Sequence, residues 1–219
     1  LNKLKFNSIN VTPAANQALK FNSSANGFET GSAGGAITFI KKLTASSSST
    51  LSFVDGASDV VLDNTYKEYL FILNNIHPAA YSEVHFNLSA DSGSNYNVTK
   101  TSTSFRPTHR ENGADGGIAY GTGGDLAQGT GFQPLTQALG DTAVDNDASA
   151  SGYLHLFNPS STTFVKHFIA EVQHVHNNDY SMDVFVAGYG NTTSAIDAVQ
   201  FKASSGNIDS GTIKLYGVS

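Results

Sequence analysis

Cysteine is absent from the 219 residues, so neither a disulfide nor a thiolate metal site can hold this chain together, and stability has to come from packing and assembly. Charge is scarce as well. Charged residues make up 14% of the chain, with 12 Lys and Arg against 18 Asp and Glu, for a formal net charge of −6. Proteins that neutralise phosphates need a basic patch, and with no basic run here nucleic acid is not an expected partner. No apolar run approaches the ~20 residues that cross a bilayer. The opening Leu1-Asn2-Lys3-Leu4-Lys5-Phe6 lacks the apolar core of a secretory signal, so neither membrane insertion nor secretion by that route is expected. Tryptophan, the strongest stacking platform for a sugar, is also missing. Helical patterning is the last scarcity: no three-turn stretch keeps an i, i+3, i+4, i+7 apolar pattern with a credible cap.

What is plentiful is Gly, at 21 residues, together with Ser, Thr and Asn in every part of the chain. A surface solvated by neutral polar groups suits proteins that work outside the cell. Short runs of β-branched and aromatic residues bounded by Gly, Ser, Asn and Asp predict strands at 36–42, 50–54, 66–76, 84–89, 151–157, 164–175, 183–189, 198–202 and 212–216. Nine runs are close to an eight-stranded sandwich with one spare. The fold expected is therefore all-β, an antiparallel β-sandwich over residues 36–219. In the last run Ile213, Leu215 and Gly217 oppose Thr212, Lys214 and Tyr216, a half-buried alternation.

Two regions break the rhythm. Residues 1–35 carry small apolar clusters, Leu4, Phe6, Ile9 and Val11, then Leu19, Phe21 and Phe28, closed by Gly31-Ser32-Ala33-Gly34-Gly35. Their apolar mass is too small for a core, and an extended N-terminal attachment arm that orders against another surface is expected. Residues 107–150 are rich in Gly, Asp, Ala and Thr, with Gly116-Gly117, Gly123-Gly124 and Gly129-Thr130-Gly131, and read as a long functional loop at one end of the sandwich.

The segment from Ala15 to Phe28, followed by the Gly-Ser-Ala-Gly-Gly linker, resembles the short β-rich units that phage tail-fibre and other virion proteins place before a distal domain. The remainder resembles a group of marine, cyanophage-like bacteriophage structural proteins. That likeness is carried by Tyr66-Lys67-Glu68-Tyr69, Asn75-Ile76-His77-Pro78, Asp91 to Tyr96, Leu154-His155-Leu156-Phe157-Asn158-Pro159, Ser194-Ala195-Ile196 and Ser204 to Gly217. The resemblance implies a jelly roll at the virion surface, a homotrimer anchored to other virion proteins of capsid or tail. Capsid decoration, head-fibre and tail-fibre subunits all fit it.

Sites of chemistry are few. His174-Val175-His176 places two imidazoles on one strand face about 7 Å apart by the strand rise, with Asp179 or Asp183 as the nearest third ligand in sequence. Without a complete ligand set these are weak metal candidates, and no cofactor is expected. Asp141-x-x-x-Asp145-x-Asp147 lacks the spacing, central Gly and closing Glu of an EF-hand loop. No G-x-S-x-G, H-E-x-x-H or P-loop occurs, so an enzyme is not expected. The alternative to a purely structural role is a host-glycan-binding adhesin using the 107–150 segment. Aromatics near polar groups supply what a sugar ring and its hydroxyls require, and Tyr96, Phe105, Tyr120 and Phe132 are the first candidates, with Tyr81 and Tyr180 behind them.

Overall fold

A computed structural model describes residues 17–32, 36–139 and 148–219, and within them the chain holds strands and no helix. It divides into two compact units, Leu1–Ile37 and Thr38–Ser219.

In the first unit β1 (Gln17–Phe21) and β2 (Phe28–Ser32) form an antiparallel hairpin. Phe21 and Phe28 face each other across it with ring centroids 4.9 Å apart, and Lys20 pairs with Glu29 at 3.2 Å. Leu19, Phe21 and Phe28 stay exposed within the unit, with Phe21 at 66%. Leu4, Phe6, Ile9 and Val11, the remaining residues expected in the arm, lie outside the described residues.

The second unit is a sandwich. Its larger sheet holds eight strands in the order β3 (Ile37–Thr44), β14 (Ile208–Val218), β5 (Glu68–Pro78), β10 (Ala150–Phe157), β11 (Lys166–His176), β12 (Tyr180–Gly190), β7 (Lys100–Arg110) and β8 (Gly116–Tyr120). The smaller holds β4 (Leu51–Val54), β13 (Ala198–Ala203), β6 (Val84–Ser89) and β9 (Gln133–Pro134). Period-two alternation decides what enters the core: Tyr69, Phe71 and Leu73 from β5, Phe168, Ala170 and Val172 from β11, and Ile213 and Leu215 from β14 are all buried. Facing them are Phe53, Phe86, Leu88, Val199 and Phe201 of the smaller sheet. Edge contacts between Phe53 and Phe71 (5.3 Å) and between Phe86 and Phe168 (5.1 Å) join the two layers. Each such buried ring contributes roughly 1.5–3 kcal/mol of transfer free energy.

All nine expected strand runs are present. Five strands were not expected, and β7 explains why. Its sequence, Lys-Thr-Ser-Thr-Ser-Phe-Arg-Pro-Thr-His-Arg, turns Lys100, Ser102 and Ser104 inward, so polar side chains occupy the core face. Hydrogen bonding makes that burial tolerable. Lys100 Nζ donates to Asn87 Oδ1 and the Val98 carbonyl, while Asn87 Nδ2 donates to the carbonyls of Tyr96 and Thr130. Ser102 Oγ donates to Gln133 Oε1 at 2.6 Å, and Gln133 Nε2 to the Gly124 carbonyl at 2.6 Å.

This polar seam corrects the expectation of a single long loop over 107–150. Residues 107–110 finish β7, β8 pairs with it through Phe105↔Tyr120 and Pro107↔Ile118, and Gln133, Leu135, Thr136 and Leu139 are fully buried. The glycine-rich composition belongs to an exposed edge strand and to a connection pinned into the sandwich by side-chain amides. Residues 140–147, including Asp141, Asp145 and Asp147, lie outside the described residues.

Candidate functional site

The larger sheet turns one face to the core and the other to solvent, and the solvent face carries a row of apolar side chains at the β8–β12 end. Across its width, register aligns Tyr120, Phe105 and Phe185 on β8, β7 and β12, with Ile118 beside Pro107 one step along. Ile169 and Ala187 form the next row. Ile118 is 77% exposed, Tyr120 54%, and Phe105 and Ile169 46% each. Further along the sheet Phe39 makes an edge contact with Tyr216 at 5.6 Å. Phe105, Phe185, Ile169 and Ala187 outline a shallow dimple of about 130 Å³.

The rings of Phe105 and Phe185 lie 4.7 Å apart and within 4° of parallel. Neighbours stacked across two strands spend their faces on each other and offer edges to solvent. A sugar ring binds by stacking on an aromatic face, so this ladder suits protein packing better than glycan binding. The face also carries charge: Lys214 lies in the row of Glu171 and Phe185, Glu68 sits 2.9 Å from His155 Nε2, Glu171 accepts from the Tyr153 hydroxyl, and burial, then Glu171, hold the Asp183 carboxyl above its usual range.

The four first-choice glycan candidates do not converge. Phe105 and Tyr120 are cross-strand partners, Lys202 Nζ sits 4.3 Å above the Phe132 ring, and Tyr96 packs near the turn at Gly93. Tyr120 is further occupied by Asp125, which accepts its hydroxyl at 2.8 Å.

A different set of residues does converge. At the inner face of the β7–β8 end, a recess of about 270 Å³ is lined by Arg106, Thr108, Asp115, Ala119, Gln137, His176, Tyr180 and Met182. Alternation brings Arg106 and Thr108 inward from β7 and His176 inward from β11, and the backbone bridge between Leu139 and His176 carries the segment bearing Gln137 alongside. The Tyr180 hydroxyl donates to Asp115 Oδ2 at 2.9 Å, the Arg110 guanidinium lies 5.4 Å from the Tyr180 ring centre, and His176 meets that ring edge-on at 6.1 Å.

His174 stands behind His176, with ring centroids 6.4 Å apart, so both imidazoles share one strand face. His174 is fully buried, and neither ring nitrogen has a hydrogen-bond partner. Burial, with a smaller contribution from His176 and against the opposing effect of the Val172 backbone, which the ring approaches without a well-aligned hydrogen bond, pushes its pKa down to about 3. Burial and then the Arg106 charge lower that of His176. Both rings are therefore neutral at pH 7, and Arg106 and Arg110 supply the positive charge there.

As a metal site the pair is incomplete. Among the described residues no group of three or more His, Asp or Glu side chains could hold an ion. Asp183 points to the opposite face with Glu171, and Asp179 occupies the β11–β12 turn, its N–H donating to the His176 carbonyl. Arg106, Asp115 and Gln137 gave no signal in sequence, because residues about thirty apart meet only through the β7–β8 hairpin and the buried 133–139 connection. No protein-family model matches the chain, and searches of curated proteins and of solved structures find no match either.

Proposed function

We propose that this chain is a structural protein of a bacteriophage particle, displayed on the virion surface as a capsid decoration, head-fibre or tail-fibre subunit. The observation that carries the reading is the aromatic outer face of the larger sheet. Eight strands about 4.8 Å apart, with some eight residues each, span roughly 1,000 Å², against about 800 Å² per partner in a standard interface. The exposed apolar side chains gathered at the β8–β12 end of that face, on a chain this poor in charge, suit a surface that is covered. Other copies of the same chain are its proposed occupants, because the charges on this face are of both signs, Lys214 with Glu68, Glu171 and Asp183, and need not repel a second copy. A homotrimer is the proposed assembly.

Strand order supports a jelly-roll reading. Setting β7–β8 and β11–β12 aside as insertions, the remaining eight strands pair first with last, β3 with β14, then β4 with β13, β5 with β10 and β6 with β9. That is the pattern of one long hairpin rolled into two sheets. The hairpin at Gln17–Ser32, with Phe21 and Phe28 exposed, fits the attachment arm of the same proposal.

Antibodies against the recombinant chain, applied to filtered and nuclease-treated phage particles, test the reading. Co-sedimentation of the chain with capsid or tail proteins is expected, and a chain found only in the soluble fraction of lysates overturns it. A second reading, host-glycan binding, rests on the recess between Arg106, His176 and Tyr180, part of which comes from residues 107–150. Adsorption of the isolated protein to host cells, with block of infection, is its test.

A further inference from the structure

We infer that the recess at the β7–β8 end binds the carboxylate-bearing ring of an acidic saccharide, of the uronate or sialate class, with the Arg106 guanidinium holding the carboxylate. The inference rests on the glycan-binding reading and names its ligand class.

Arg106 is the first reason. It is only half-exposed, yet no salt bridge or hydrogen bond engages it among the described residues. A guanidinium carries five donors in a rigid fork matched to a carboxylate, and an idle fork lining a recess is a site without its acceptor. The one carboxylate in the recess, Asp115, already accepts from the Tyr180 hydroxyl.

Electrostatics points the same way. With His176 neutral, the lining holds one cation, Arg106, and one carboxylate, Asp115, and since Asp115 already accepts from the Tyr180 hydroxyl, Arg106 is the charge left to meet an anionic ligand.

Shape and the remaining groups argue for a sugar. A volume of about 270 Å³ holds one ring, below the roughly 300–1,000 Å³ of sites for drug-sized ligands. Tyr180 and Met182 supply apolar wall, while Gln137, Thr108 and the free oxygen of Asp115 supply the mixed donors and acceptors that ring hydroxyls need.

The test is titration of the isotope-labelled full chain, followed by amide and imidazole NMR shifts, with glucuronate, N-acetylneuraminate, glucose, galactose and inorganic phosphate as separate probes. Saturable shifts confined to Gln137, His176 and Tyr180 with the two acidic sugars are expected, with binding at least tenfold weaker for Arg106→Ala, in line with loss of a charge-assisted pair. Arg106→Lys, which keeps the charge and loses the fork, should fall between. Ile118→Asp, on the opposite face, should bind as the wild type does. If Arg106→Ala fails to fold, Arg106→Lys and the probe series decide alone. Equal response to acidic and neutral sugars overturns the carboxylate assignment and leaves glycan binding standing. Response to phosphate but to no sugar overturns the saccharide, and no response to any probe overturns both.

Discussion

Replacing His174 by leucine tests the core at its most expensive point. The imidazole is fully buried between Ala150 of β10 and Met182 of β12, and both nitrogens lack partners. A buried polar group left unbonded costs about 1–3 kcal/mol, so the leucine variant should be more stable by about that amount at pH 7. The acid response gives a sharper signature. The folded pKa of about 3 lies below the ordinary 6.5, so as pH falls the unfolded chain takes up a proton that the native state refuses. Stability is thus complete above 6.5 and lost progressively toward 3. At about pH 4.5, two pH units below the unfolded value, the loss is about 3 kcal/mol. Asp63 and Asp91, held below the usual carboxylate range by hydrogen bonds from Thr65 and Asn95, weaken the fold in acid too, but equally in both proteins. Urea unfolding followed by far-UV circular dichroism at the two pH values, for wild type and His174→Leu, isolates the histidine. Equal acid sensitivity in the two proteins would refute the reasoning and mean that the ring is hydrogen-bonded or hydrated in solution.

Lys100 gives the mirror case in alkali. Burial lowers its pKa to about 8, so between there and about 10 the unfolded chain keeps a proton that the native state releases, and stability should rise by roughly 2 kcal/mol; Lys100→Met should abolish that rise in the same urea assay. At the β14 bulge, Gly211 has a φ of +112° and a side chain there would run into the Asn75 carbonyl oxygen. Gly211→Ala should therefore cost about 2 kcal/mol or more, read as a fall in Tm. On the outer face, Ile118→Asp should convert the assembled protein to monomer in sedimentation velocity while leaving the far-UV circular dichroism spectrum unchanged, and a monomeric wild type would remove the self-association proposal.

Legibility followed chemistry closely. β5, β10, β11 and β14 alternate large apolar residues with others, and that pattern is visible without coordinates. β7 was invisible because its inward residues are Lys100, Ser102 and Ser104, and whether a serine points to core or solvent depends on partners distant in sequence, here Gln133 and the Leu126 N–H. The same holds for the site. His174 and His176 stand out as a spaced pair, and Tyr180 as an aromatic near a turn, but Arg106, Asp115 and Gln137 are ordinary polar residues until the hairpin and the buried connection bring them together. Phe105 and Tyr120 were legible as exposed aromatics, yet only the parallel stacking of Phe105 on Phe185 argues for packing over sugar binding.

By itself the amino-acid sequence determined an all-β chain free of disulfides, poor in charge and built of short strands, because composition and period-two alternation are local properties that each segment carries with it. Tertiary structure alone decided which strands are neighbours, that the 107–150 segment is partly core, that exposed apolar side chains line up at one end of the outer sheet face, and that an unpaired arginine shares a recess with the neutral His176, behind which His174 is buried. Those are long-range facts, set by how sheets close and by which buried polar groups find partners, and no window of the sequence contains them.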